Sequence, residues 1–316
     1  MTVPSSSTRV TTFDRDDLTF DVIDSGPLDA STSPVVLLHG FPQRAASWSA
    51  VTERLNAAGY RTFAPDQRGY SPGARPTARG AYRIDDLTED IVALIDVIGE
   101  PVHLVGHDWG AMVAWALAAR RPDLIRSLTA ISVPHPGAFI AAMPRGQILR
   151  SFYMGVFQLP VLPELAARRA PGLMRKSLIA TGMSAAEADR VMTDTVEDGA
   201  LTGGLNYYRA MPLYGRSSSV GRVRVPTTYV WSSGDVALGR HAAMTTGGYV
   251  RAPYRLIVLP GSHWIPDQQP QAVADAVLER ARSVEDAPLR ATSVDDTPQP
   301  AVAGSDESVR SSTSPE

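Results

Sequence analysis

Short runs of consecutive apolar residues recur along this chain, and each gives way to a stretch with helical spacing. Val35-Val36-Leu37-Leu38 is the first clear run; residues 102–105, 128–133, 228–231 and 256–259 repeat the pattern. A strand buried on both faces reads as such a run, and both faces are covered when a mostly parallel sheet is flanked by helices. Between the runs, residues 47–58 are helical up to Gly59. Leu87, Ile91, Leu94, Ile95 and Ile98 recur at helical spacing before Gly99, and residues 111–121 and 271–282 supply further helices. A strand at 60–64 joins them, and the alternating residues 9–16 and 18–25 predict a leading hairpin. With right-handed crossovers, this order builds a doubly wound α/β sheet.

The rhythm stops near Pro134 and resumes at Thr227. The segment between is rich in Met, Leu, Ala and Pro and holds helical pieces without a convincing strand. It is expected as an inserted helical cap at 138–219, dividing the core into 9–137 and 220–282. Residues 1–8 are too polar to pack. Residues 283–316 hold seven acids, two bases and no aromatic residue, so both ends are expected to be disordered. Without that tail the chain is nearly neutral, and its total charge of −3 argues against an electrostatic grip on nucleic acid.

The chain has no cysteine, which excludes disulfides, thiolate metal sites and thiol nucleophiles. No apolar leader opens it, and no run approaches the roughly 18 apolar residues that would span a bilayer. A cytoplasmic protein is the expectation, with a homodimer possible.

The run at 102–105 leads directly into Gly106-His107-Asp108-Trp109-Gly110, and a helix follows. This strand–turn–helix context, with small residues two positions on either side of a potential nucleophile, makes a tight elbow. It lifts the Asp108 carboxylate to the C-terminal end of the sheet, beside a helix N-terminus that favours negative charge. Asp108 would equally serve as the N-cap of that helix. Three further segments lie at strand ends: His39-Gly40-Phe41-Pro42, Asp235, and Gly261-Ser262-His263-Trp264.

The order nucleophile, acid, histidine resembles that of the α/β-hydrolases, and the chain is similar, over residues 11–282, to the soluble epoxide hydrolases within them. The segment from Tyr153 to Pro160 resembles the first cap motif of those enzymes, and Leu205-Asn206-Tyr207-Tyr208-Arg209 the second. The resemblance implies that Asp108 attacks a ring carbon of an epoxide while Tyr153 and Tyr208 donate to the ring oxygen. A carboxylate needs no base to activate it. His263, oriented by Asp235, would instead draw a proton from the water that cleaves the ester, and the amides of Phe41 and Trp109 would stabilise the oxyanion.

The implied product is a vicinal diol, with a small apolar epoxide and water as partners and neither metal nor organic cofactor. The family motif implies a cis Phe41-Pro42 bond. Phe41, Trp109, Phe152 and Trp264 are candidate pocket walls, each of which could instead be ordinary core. His107 is expected behind the site, while His103, His135 and His241 lack metal-ligand spacing. Residues 66–69 resemble a structural family loop, but its continuation, Gly69-Tyr70-Ser71-Pro72-Gly73, departs from the family pattern; Tyr207 stands where many relatives have Trp. Haloalkane dehalogenases share the acid, base and nucleophile but hold a halide with nitrogen donors; Phe41 has none, while Trp109 could also hold a halide. A binding module without chemistry is the remaining alternative.

Overall fold

The computed structural model describes residues 8–215 and 219–286. Eight strands form one sheet: β1 (Thr12–Arg15), β2 (Leu18–Ser25), β3 (Val35–Leu38), β4 (Thr62–Pro65), β5 (Val102–His107), β6 (Ile125–Ile131), β7 (Thr227–Ser232) and β8 (Tyr254–Leu259). Their spatial order is β1-β2-β4-β3-β5-β6-β7-β8. β2 pairs antiparallel with both β1 and β4, and every pairing from β4 through β8 is parallel. This is the mostly parallel α/β sheet that the apolar runs predict.

Alternate side chains of each buried strand serve two separate cores. Val35 and Leu37 join α1 (Ser49–Ala57) on one face, where residues of the last helix also pack. Val36 and Leu38 point the other way, into the larger core formed with α2 (Ile84–Ile98) and α3 (Trp109–Arg120). Gly99 closes α2 in the left-handed region at φ 85°, the usual role of glycine past a helix end.

Between β6 and β7 the chain forms helices alone among the described residues: α4 (Pro136–Ala142), α5 (Gln147–Arg150), α6 (Tyr153–Phe157), α7 (Leu162–Arg169), α8 (Pro171–Ala180), α9 (Ala185–Val191) and α10 (Leu201–Ala210). These helices and the sheet belong to one compact unit that ends at Asp286. The core resumes with β7, and α11 (Arg240–Thr245), α12 (Ile265–Gln268) and α13 (Pro270–Glu285) complete the order. No described helix is long and apolar enough to cross a membrane.

Both expected disordered ends need correction at their inner edges. α13 continues past Arg282 to Glu285, whose carboxylate accepts from the Ser33 amide at 3.0 Å and the Tyr60 hydroxyl at 2.6 Å. It also meets His103 Nε2 at 3.3 Å. A polar clasp of this kind is invisible to composition, which counted Glu285 as one more acid of the tail. Likewise the Thr8 carbonyl accepts from Arg61 at 3.0 Å. Residues 1–7 and 287–316 lie outside the described residues.

Candidate active site

Asp108 leaves β5 with φ 52° and ψ −119°, a conformation that non-glycine residues seldom hold without surrounding support. Glycine makes the support possible. A Cβ on Gly106 would stand 2.3 Å from the Gly110 carbonyl oxygen, and one on Gly40 would stand 2.3 Å from the Asp108 Cβ. The loop after β3 therefore touches the elbow, and the Phe41 amide donates to Asp108 Oδ1 at 2.8 Å. The Phe41-Pro42 bond is cis. Asp108 occupies the N-cap position of α3 without a side-chain capping bond, so the capping alternative fails.

His263 follows β8. Its Nδ1 contacts Asp235 Oδ2 at 2.9 Å, and its Nε2 stands 3.4 Å from Asp108 Oδ2. The other Asp235 oxygen accepts from the amides of Ala237 at 2.8 Å and Leu238 at 2.9 Å, which fixes the carboxylate. Burial works against an imidazolium here, but the carboxylates of Asp235 and Asp108 outweigh it and push His263 up to about 10. Burial likewise disfavours the Asp108 carboxylate; His263, His107 and the Trp109 amide more than offset that and hold it below the usual range. His107 Nε2 and the Ser132 hydroxyl both donate to the His263 carbonyl at 2.9 Å. His107 thus lies behind the site and braces its base.

Tyr153 on α6 and Tyr208 on α10 come together, with ring centroids 6.2 Å apart. Burial and the nearby Asp108 charge push both phenols up, so they keep their protons across the neutral range. The segments that carry them are bound to each other. Arg209 forms a buried ion pair with Glu164, 2.6 Å at its shortest, and donates to the carbonyls of Phe157 and Leu159. Gln158 donates to the Tyr208 carbonyl at 2.6 Å. This clasp escaped the sequence reading. Its signal was that Glu164 is the only acid between Asp123 and Glu187.

Two cavities meet at Asp108 and the tyrosine pair. One, of about 440 Å³, has Trp109 in its wall and four methionines, Met112, Met143, Met154 and Met211. The other, of about 460 Å³, is bounded by Phe41, Phe157, His263 and Trp264. Trp109 lines the first cavity, and Phe41 and Trp264 line the second. Phe152 also borders the second, but it is 73% exposed, so it forms a rim rather than an enclosed wall. The methionines were missed because Met at helical spacing reads as core.

Other singled-out residues are structural. Tyr207 donates to the Arg68 carbonyl at 2.9 Å and packs behind Trp109 without lining either cavity. Asp66 accepts from the Ala45 amide at 2.8 Å, and Arg68 pairs with buried Asp90. Gln67 binds His39, which burial keeps neutral by lowering it to about 4. Ser71 ties the departing loop to the Asp66 carbonyl and the Asp21 amide, away from the cavities. His103 meets Ser127, and His135 stacks on Tyr249. His241 lies on α11 and lines neither cavity.

The model of the α/β hydrolase fold family matches residues 33–270, and this chain belongs to that family. It is 36% identical over 267 residues to the AB hydrolase superfamily protein YfhM of Bacillus subtilis (strain 168), covering 81% of this chain and 90% of that protein. It is 34% identical over 273 residues to epoxide hydrolase 3 of Xenopus tropicalis, covering 80% of this chain and 72% of the relative. Among solved structures, an epoxide hydrolase from Vigna radiata superposes with a TM-score of 0.73 at 27% identity, over 86% of this chain and 97% of that one.

Proposed function

We propose that this protein is an epoxide hydrolase working through a covalent ester on Asp108. The observation that carries this reading is the asymmetric setting of the Asp108 carboxylate between a backbone donor and two phenols, one buried and one partly buried. Oδ1 is engaged by the Phe41 amide, which leaves Oδ2 as the attacking atom. Oδ2 forms a bond to one ring carbon, the carbon–oxygen bond of the epoxide breaks, and Tyr153 or Tyr208 gives the ring oxygen a proton. The other phenol steadies the developing charge.

The ester carbonyl oxygen is then Oδ1, already at the Phe41 amide, where an oxyanion would need its donor. Esterification also removes the negative charge beside His263 Nε2. The imidazole then gives up its proton more readily and accepts one from water attacking Cγ, while Asp235 holds the ring. Collapse releases the diol, restores the carboxylate and returns a proton to the phenol. The named relatives support epoxides as the substrate class. Phe41 offers no side-chain N–H for a departing halide but the Trp109 indole does, so halide release from a haloalkane is the assay that separates a dehalogenase from this reading.

The test is a single turnover of excess enzyme with styrene oxide in H₂¹⁸O. The proposal requires ¹⁸O in the Asp108 carboxylate and none in the diol. Label in the first-turnover diol would mean direct attack by water. No diol with aromatic or aliphatic epoxides would overturn the substrate class.

A further inference from the structure

Ten of the sixteen large apolar side chains exposed among the described residues lie within residues 140–173, so this surface is concentrated on the inserted helices rather than scattered. Leu149 and Phe152 are 77% and 73% exposed and border the cavity beside His263; Ile140 borders the methionine-lined cavity. Val156 and Leu173 edge an adjoining hollow that shares Phe41 and Phe157 with the second cavity. Five of the ten exposed apolar residues thus border these hollows, three of them the two cavities that Asp108 lines.

Backbone geometry holds part of this surface out. Val161 has φ 64° and ψ −34°, and the Leu162 amide donates to the Pro160 carbonyl at 2.6 Å. A tight three-residue turn with a β-branched residue at its centre is strained, yet it sets Val161 and Leu162 in solvent, 68% and 55% exposed.

The charge around these residues has one sign. Residues 138–176 contain Arg145, Arg150, Arg168, Arg169, Arg175 and Lys176 against a single acid, Glu164, while the whole chain carries −3. Glu164 is buried and paired with Arg209. Arg175 pairs with Asp189, whereas Arg145, Arg168, Arg169 and Lys176 make no ion pair among the described residues. Apolar side chains interleaved with unpaired bases fit an interface of acyl chains beneath anionic phosphates. A second copy fits poorly, because a two-fold interface would set this basic face against itself.

We propose that the outer face of the inserted helices docks on an anionic lipid surface and presents the cavity openings to the bilayer. The docking rests on the surface alone; that it delivers apolar epoxides from the membrane rests on the function proposed above. The experiment is co-sedimentation of the full-length protein with vesicles of phosphatidylcholine, or of phosphatidylcholine mixed with phosphatidylglycerol, at low and high salt.

The expected result is binding to the anionic vesicles that weakens with salt, and much less binding to the neutral ones. Each base at such a surface contributes a factor of about five, so Arg168→Glu with Arg169→Glu loses at least about 25-fold. Val161→Ser with Leu162→Ser weakens binding on both lipids while the diol-forming rate on a soluble epoxide stays unchanged. The proposal is overturned if folded wild type ignores anionic vesicles, if charge reversal leaves binding intact, or if the serine pair instead abolishes self-association in ultracentrifugation. Absence of turnover together with vesicle binding would overturn the proposed function and leave the docking standing.

Discussion

Replacing Asp108 with Asn keeps the shape of the elbow and removes the charge that faces His263. At an effective dielectric constant of about 20, opposite unit charges at the observed 3.4 Å attract by about 5 kcal/mol. One pH unit of titration corresponds to about 1.4 kcal/mol, so complete loss of that attraction amounts to about 3.5 pH units. The carboxamide oxygen returns part of this, and Asp235 at 2.9 Å is untouched. In Asp108→Asn the His263 midpoint should therefore fall from about 10 by two to three pH units. Histidine-selective NMR titration, with His263→Gln to assign the signal, reads it directly.

The sign matters for the chemistry. In the free enzyme below about pH 10 the imidazole holds its proton between two carboxylates. Once Asp108 is neutral, as in the ester, His263 becomes an available base near neutrality. A midpoint within half a pH unit of wild type would show that the Asp108 charge does not hold the proton, and would refute the argument for how His263 changes role. The corresponding stability contribution of His263 is complete below its ordinary 6.5 and is lost as pH rises through about 10.

Gly40→Ala would press a methyl group to 2.3 Å from the Asp108 Cβ; displacing the nucleophile should cost on the order of 100-fold in kcat/KM, with the far-ultraviolet circular dichroism unchanged. Tyr153→Phe and Tyr208→Phe should each slow the burst of ester formation, and the double variant should lose about 10²–10⁴-fold, because one phenol can partly cover for the other. Glu285→Ala strands the Tyr60 hydroxyl and the Ser33 amide, at a cost of about 1–3 kcal/mol in urea unfolding. Since the folded Glu285 titrates below its ordinary 4.5, that contribution is present above this value and is lost as pH falls through the folded one. Deleting 287–316 should leave both stability and turnover unchanged, whereas deleting from Ser283 onward should lower the unfolding midpoint.

The sheet was legible because a strand covered on both faces must be apolar throughout, as 35–38 and 102–105 are. The elbow was legible because its crowding permits few residues at 106 and 110, so the constraint is written locally. Orientation was not. Phe152 and Tyr153 are neighbours in one recognisable segment, yet Phe152 is 73% exposed while Tyr153 is partly buried and lines both cavities with Asp108. Which side of a five-residue helix faces inward depends on Arg209 reaching from a distant position to the Phe157 carbonyl, and on Gln158, at the helix end, donating to the distant Tyr208 carbonyl. The methionine-walled cavity failed for a related reason: a residue facing a hollow and one facing packed atoms have the same periodicity. Glu285 was lost because a single docked acid is indistinguishable by composition from its solvated neighbours.

The Glu285 clasp has a practical corollary. Ser33, Tyr60 and His103 all stand at the starts of parallel strands, whereas Asp108 and His263 follow strand ends. The last described helix therefore finishes at the pole of the sheet away from the cavities. A linker joined after Asp286 would anchor the enzyme to a bead or electrode with its openings facing the bulk liquid.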